Sequence, residues 1–236
     1  ATVPAPAVDG HLFTRLSPSY TGITFENTVE PTSDLNVFTY RNFYNGGGVA
    51  IGDLNGDGLP EVMLTSNLRG NRLYLNKGHF RFQDISAEAG VRGKESWATG
   101  VAFADVNGDG LLDIYVCYAG NVPGPKRANA LYINQGPGPN GVPTFRDEAA
   151  EYGLADEGFS TQAAFFDYDH DGNLDMFLVN NSSRAASSFG LANTRNVRND
   201  FGGDKLYHND GNGHFSDVSA RAGIFGSEIG LGLGVG

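Results

Sequence analysis

A nine-residue acidic loop occurs three times in this chain, and its flanks repeat with it. Residues 53–61 read DLNGDGLPE, residues 105–113 read DVNGDGLLD and residues 167–175 read DYDHDGNLD. The loops start at Asp53, Asp105 and Asp167, so the offsets are 52 and 62 residues. A short apolar stretch precedes each one (GGVAIG, GVAFA, AAFF) and another follows it (EVMLTS, DIYVCY, DMFLVN). The second stretches are rich in β-branched and aromatic residues, which suit a pleated, half-buried surface. Each unit therefore begins strand, acidic loop, strand.

The rest of the unit repeats too. Leu73-Tyr74-Leu75-Asn76 matches Leu131-Tyr132-Ile133-Asn134 and Leu206-Tyr207-His208-Asn209. A glycine-bearing turn follows, then FQDIS at 82, FRDEA at 145 and FSDVS at 215, and each unit closes on a small-residue turn (AEAGV, AEYGL, ARAGI). Four short strands per unit, joined by turns that draw on the 34 glycines, predict an all-β chain of β-propeller blades. A helical solenoid is excluded, because no segment sustains an i, i+3, i+4 apolar pattern over three turns. The units divide as 46–93, 94–158 and 159–227. Residues 1–12 read as a linker or the start of a trimmed mature chain. Residues 13–45 hold FTRLS and Thr21-Gly22-Ile23, which match the closing part of a unit and predict a strand that completes the last blade. Residues 228–236, with IGLGLGVG, match the start of a fourth unit. These two ends predict that the three blades are a piece of a longer propeller. Inserts at 120–129 and 182–203 lengthen the second and third units, and the longer one, with three arginines, reads as a contact surface or a mobile excursion.

The formal net charge is −11, which argues against nucleic acid as a partner. Ten of the 27 acidic residues lie in the three loops, so the acidity is local and points to bound cations. The lone cysteine, Cys117, reads as a small buried hydrophobe. No apolar run is long enough to span a membrane.

The loop chemistry follows from its spacing. Positions 1, 3 and 5 are Asp53, Asn55, Asp57, then Asp105, Asn107, Asp109, then Asp167, Asp169, Asp171. Position 6 is Gly58, Gly110 and Gly172, and glycine allows the positive φ that curls the chain around a point. Position 7, namely Leu59, Leu111 and Asn173, offers its backbone carbonyl, and position 9 is acidic in Glu61, Asp113 and Asp175. Four side chains and one carbonyl, all oxygen, suit Ca²⁺ at three sites. Zinc would draw on His or Cys. The same residues also make good hairpin turns, but turn chemistry alone does not require matched acids at positions 1, 5 and 9. An EF-hand loop runs to twelve residues between helices, whereas this one ends at nine between strands.

The unit G-V-A-x-x-D-x-N-x-D-G-x-x-D, then L-Y-x-N, then F-x-D-V-S, resembles the FG-GAP/VCBS repeats of integrin-α-type propellers. TGITFEN and the spacing are similar to ASPIC/UnbV-type proteins. The resemblance covers about residues 13–236. It implies a seven-bladed propeller with Ca²⁺ in the loop between the first two strands of a blade.

No G-x-S-x-G, H-E-x-x-H, P-loop or dinucleotide fingerprint is present, so the reading is non-enzymatic. His79 and His214 each precede a Phe in a turn and read as matching structural positions; His170 occupies an outward-facing loop position, and His208 reads as a plain strand residue. Trp97 reads as packing, with stacking on a sugar as the alternative. Tyr74, Tyr132 and Tyr207 recur in register and read as blade-to-blade core. The expected function is a calcium-rigidified binding module of a secreted, cell-surface or periplasmic protein that engages a protein or glycan. Its other contacts would be the remaining blades. A propeller that accompanies polysaccharide-active or other hydrolytic activity, and an architectural spacer, are the competing readings.

Overall fold

The computed structural model describes residues 13–138, 140–181 and 201–225. They form three four-stranded antiparallel sheets, and each sheet is one sequence unit. The first holds β1 (Val49–Gly52), β2 (Glu61–Leu64), β3 (Arg72–Asn76) and β4 (Phe82–Asp84). The second holds β5 (Trp97–Ala104), β6 (Asp113–Ala119), β7 (Ala130–Pro137) and β8 (Pro143–Asp147). The third holds β9 (Ser160–Phe166), β10 (Asp175–Asn180), β11 (Lys205–Asn209) and β12 (Phe215–Asp217). The only helices among the described residues are two single turns, α1 (Pro18–Thr21) and α2 (Gly124–Arg127). No helix there is long and apolar enough to cross a membrane.

Register is the same in all three sheets. The residue before the acidic loop pairs with the acid that ends it: Gly52 with Glu61, Ala104 with Asp113, Phe166 with Asp175. The L-Y-x-N asparagine pairs with the F-x-D phenylalanine: Asn76 with Phe82, Asn134 with Phe145, Asn209 with Phe215. This register corrects the histidine match. His214 directly precedes Phe215, whereas Arg81 directly precedes Phe82; His79 therefore lies in the equivalent turn without sharing the position of His214.

The sheets lie side by side, with β5 against β1 and β9 against β5. Alternation along a strand then buries both faces of the middle blade. Ile114, Val116 and Tyr118 of β6 face the first blade, in a cluster with Met63, Leu73 and Ile85. Tyr115 and Cys117 face the third blade, in a cluster with Met176, Leu178 and Tyr207. Every residue of β6 is buried for that reason, while β2 buries only alternate residues. On β1, Val49 and Ile51 point away from the second blade and stay 59 % and 65 % exposed, although Val101, the counterpart of Val49, is 4 % exposed. That face has no neighbouring blade among the described residues.

Close approach between inner strands is where glycine is required. A Cβ on Gly48 would lie 2.7 Å from the Thr99 carbonyl oxygen, and one on Gly100 would lie 2.4 Å from that of Thr161. Side-chain bonds also cross the blades at this level: Thr65 Oγ1 donates to the Thr99 carbonyl (2.5 Å) and Thr99 Oγ1 to that of Ser160 (2.7 Å).

No strand is assigned within residues 13–45. The expected strand would complete a last blade, and the fourth unit expected from residue 228 lies wholly outside the described residues. The segment instead packs against the first blade. Gly22, at φ +81°, sits over the Phe82 carbonyl as Gly153 sits over that of Phe215. Arg81 donates to the Tyr20 carbonyl and stacks on its ring, and the Tyr74 hydroxyl meets Thr24. Further on, Tyr40 and Phe43 close over Trp97, which is 1 % exposed. Trp97 is therefore core, and sugar stacking on it is ruled out. Tyr132 and Tyr207 lie in the inter-blade clusters as expected. Residues 1–12, 182–200 and 226–236 lie outside the described residues, and with them most of the long insert. Its return at Phe201 stacks on the Arg127 guanidinium of the shorter insert and accepts from Phe159 N.

Candidate metal centre

The three acidic loops connect β1 to β2, β5 to β6 and β9 to β10, so all three occupy the same end of their blades. Their backbone is shaped by the position 1 aspartate. Asp53 accepts from Gly56 N (2.8 Å), Asp57 N (3.2 Å) and Gly58 N (2.8 Å). Asp105 accepts from Gly108, Asp109 and Gly110 at 2.8, 3.1 and 2.9 Å. Asp167 holds Asp171 N and Gly172 N, both at 3.1 Å. The position 5 carboxylate then accepts from position 7: Leu59 N, Leu111 N and Asn173 N, each at 2.8 Å. Short Asx turns of this kind offer the chain a local fold with no strand partner.

Position 6 takes φ +81°, +87° and +93° at Gly58, Gly110 and Gly172. Position 4 is left-handed as well, with Gly56 at +76°, Gly108 at +73° and His170 at +63°. The sequence reading placed this demand at position 6 alone; the Asn-Gly pairs at 55–56 and 107–108 were the signal for the second. His170 is exposed, as its even position implies.

Position 9 holds the most unusual groups. Glu61, Asp113 and Asp175 are 0 %, 1 % and 0 % exposed. One oxygen of each accepts the position 2 N–H: Leu54 (2.9 Å), Val106 (3.0 Å) and Tyr168 (3.0 Å). The other accepts the N–H of the third-strand asparagine: Asn76 (3.2 Å), Asn134 (2.8 Å) and Asn209 (2.9 Å). Each acid thus pins the loop to its own blade. Burial raises the Asp113 carboxyl from 3.8 to about 6; the Asn134 and Val106 N–H groups oppose this, and Asp109 and Asp105 add to it. Burial likewise raises Glu61, with Asp57 and Asp53 contributing. Lysine and arginine ion pairs are found instead at Asp84, Glu148, Glu151 and Asp156. A buried carboxylate crowded by like charges has a strong electrostatic use for a cation.

The donor chemistry fits a hard divalent cation in the first two loops: carboxylates at 1, 5 and 9, an amide at 3 and a carbonyl at 7. Asn55 Nδ2 and Asn107 Nδ2 bridge to the position 5 carboxylates at 3.1 and 2.9 Å. In the third loop position 3 is Asp169, which brings no such donor. Asp167, Asp169 and Asp171 have carboxylate oxygens within 4.8 Å of one another, and so do Asp169 and Asp175 with the ring nitrogen of His208. His208 thus neighbours two of the loop acids, which its reading as a plain strand residue did not anticipate. The only signal was an imidazole where the other units carry Leu75 and Ile133.

The third-strand asparagines tie neighbouring loops together. Asn134 Nδ2 donates to the Leu54 carbonyl (2.9 Å) and Asn209 Nδ2 to the Val106 carbonyl (3.2 Å). Position 2 of one loop is therefore held by the next blade, while position 9 of the same loop holds position 2 from within.

Compared with known protein families, residues 53–116 match the FG-GAP-like repeat. That stretch of the chain is similar to an FG-GAP-like repeat. It takes in the first two loops and the start of β6, and the third unit reproduces its register. The chain is also 33 % identical to Cartilage acidic protein 1 of Xenopus tropicalis over 148 residues, 62 % of this chain and 22 % of that protein. Its identity to Cartilage acidic protein 1 of Mus musculus is 32 % over 148 residues, 61 % of this chain and 21 % of that protein. Homo sapiens Cartilage acidic protein 1 matches at 32 % over 147 residues. The chain spans about a fifth of the length of these relatives.

Proposed function

We propose that this chain is a calcium-dependent binding module, part of a secreted or cell-surface protein, in which each FG-GAP-like loop holds one Ca²⁺. The observation that carries the reading is the threefold recurrence of a buried position 9 carboxylate behind a ring of oxygen donors. Asp53, Asn55, Asp57, the Leu59 carbonyl and Glu61 would hold the first ion. Asp105, Asn107, Asp109, the Leu111 carbonyl and Asp113 would hold the second, and Asp167, Asp169, Asp171, the Asn173 carbonyl and Asp175 the third. The ion's role is electrostatic: it neutralises carboxylates that otherwise repel one another. Binding only the native loop, it adds its binding free energy to folding.

Millimolar calcium outside cells is enough to fill loops of moderate affinity, which fits an extracellular setting. The relatives named for cartilage support the same setting. The blades offer a rigid frame from which the inserts at 120–129 and 182–203 reach a protein or glycan partner.

The test is titration calorimetry of the chelator-stripped chain, together with thermal unfolding in calcium and in EDTA. The reading expects close to three ions per chain and a melting temperature that rises with calcium. A folded chain that takes up no calcium would reduce the loops to acidic turns and remove the reading.

A further inference from the structure

The third unit departs from the other two at several positions in and around its loop, three of which bear on ligand chemistry. Asp169 stands where they have Asn55 and Asn107, Asn173 where they have Leu59 and Leu111, and His208 where they have Leu75 and Ile133. The last change exchanges a core aliphatic for an imidazole, since Leu75 and Ile133 belong to the inter-blade clusters. His208 Nδ1 lies 3.2 Å from Asp175 Oδ1 and 3.5 Å from Asp169 Oδ2. Two donors about 2.1 Å from a tetrahedral ion lie roughly 3.4 Å apart. The observed separations match that spacing.

The surroundings favour a fixed ligand set. Asp175 is fully buried, and its oxygens also accept Tyr168 N and Asn209 N, which sets the carboxylate plane. Outer partners of this kind orient metal ligands. The Tyr168 ring stands edge-on to the His208 ring, with centroids 6.0 Å apart and planes at 71°. In the first two loops the position 3 asparagine donates to the position 5 carboxylate; in the third that hydrogen bond comes from Asn173 Nδ2 (3.1 Å), which leaves position 3 to a further carboxylate, Asp169.

We propose that Asp169, Asp175 and His208 form a transition-metal site for Zn²⁺ or an ion of the same class, with a coordination position open on the exposed Asp169 side. Imidazole nitrogen suits zinc-like ions, whereas all-oxygen sets suit calcium and magnesium. The site shares Asp169 and Asp175 with the third loop's oxygen ring, and it rests on the reading of the loops as cation sites only through those two residues. The first two loops, with leucine and isoleucine at the His208 position, have no nitrogen donor and stay calcium sites.

The whole chain, stripped with a chelator and saturated with calcium, is titrated with Zn²⁺, and with Co²⁺ as a visible-spectrum probe. The expected result is one Zn²⁺ per chain that persists in excess calcium. His208→Leu, which restores the residue of the first unit, should weaken it by on the order of 10- to 100-fold, while calcium stoichiometry stays at the wild-type value. Zinc binding that survives His208→Leu unchanged, or no zinc binding by the wild type, overturns the proposal. Ring ¹⁵N spectra of the wild-type chain give a second readout that needs no variant. A zinc-induced displacement of the His208 Nδ1 resonance supports the site, and an unmoved resonance sinks it. Uptake of zinc through His208 with no calcium uptake would end the loop reading and leave this one standing; calcium uptake without zinc would do the reverse.

Discussion

Removing calcium should give the chain a stability that falls as pH rises, and Asp113 sets most of the window. Its carboxyl ionises near 3.8 in water and is pushed up to about 6 in the fold, by burial first and then by Asp109 and Asp105. The native state therefore holds this proton more tightly than the unfolded chain does. Below the lower value both states are protonated, and above the higher value both are ionised. Between them, stability drops with each rise in pH. A difference of about two pKa units corresponds to roughly 3 kcal/mol, a large part of a typical domain's stability. Glu61 moves in the same direction for the same causes, so the first loop adds to the effect. Urea unfolding of the chain in EDTA, scanned from about pH 4 to pH 7, reads the slope directly. Asp113→Asn, which has no proton to lose, isolates its share as the difference between two slopes. With saturating calcium the sign should reverse, because protons then compete with the ion for the same oxygens. Equal slopes in the wild type and Asp113→Asn, or a slope indifferent to calcium, would refute the argument that burial of this carboxylate is what the cation offsets.

Three further predictions separate side-chain ties, backbone and packing. Asn209→Ala removes the donor that ties the third blade to the Val106 carbonyl of the second loop, and it should cost about 1–3 kcal/mol in chemical unfolding and weaken calcium binding at loop two. Gly110→Ala meets nothing within 4 Å but holds φ +87°, so it should cost about 1–2 kcal/mol through the backbone alone and lower calcium affinity in calorimetry. Gly100→Ala has no such φ but collides with the Thr161 carbonyl, so it should cost about 1–3 kcal/mol and leave calcium affinity unchanged.

The three-blade division and the four strands of each blade were legible because strand, loop, strand and the L-Y-x-N and F-x-D strands recur in order. Repetition converts a weak local pattern into a strong one: a single DLNGDGLPE is also a good turn, and three in register are not explained by turn chemistry. The acids at positions 1, 5 and 9 were legible for the same reason. Less could be read where a residue's role depends on a neighbour far away in the chain. Trp97 looked like a possible sugar platform until Tyr40 and Phe43 came across to cover it. His79 and His214 looked equivalent because each precedes a phenylalanine, but strand register, set by hydrogen bonds across the hairpin, separates them.

The sequence by itself determined the periodic facts: apolar alternation, loop acids and glycines, all of which follow from local sterics and side-chain chemistry. Only the tertiary structure decided which carboxylates are buried, because Glu61, Asp113 and Asp175 are covered where the third strand of their own blade closes on the loop. It likewise decided that Asn134 and Asn209 fasten one blade's loop to the next, across 80 and 103 residues. And it brought His208, a strand residue by pattern, against Asp175, 33 residues earlier in the chain. A pattern read along one chain carries no term for such distances; side-by-side sheet packing supplies it.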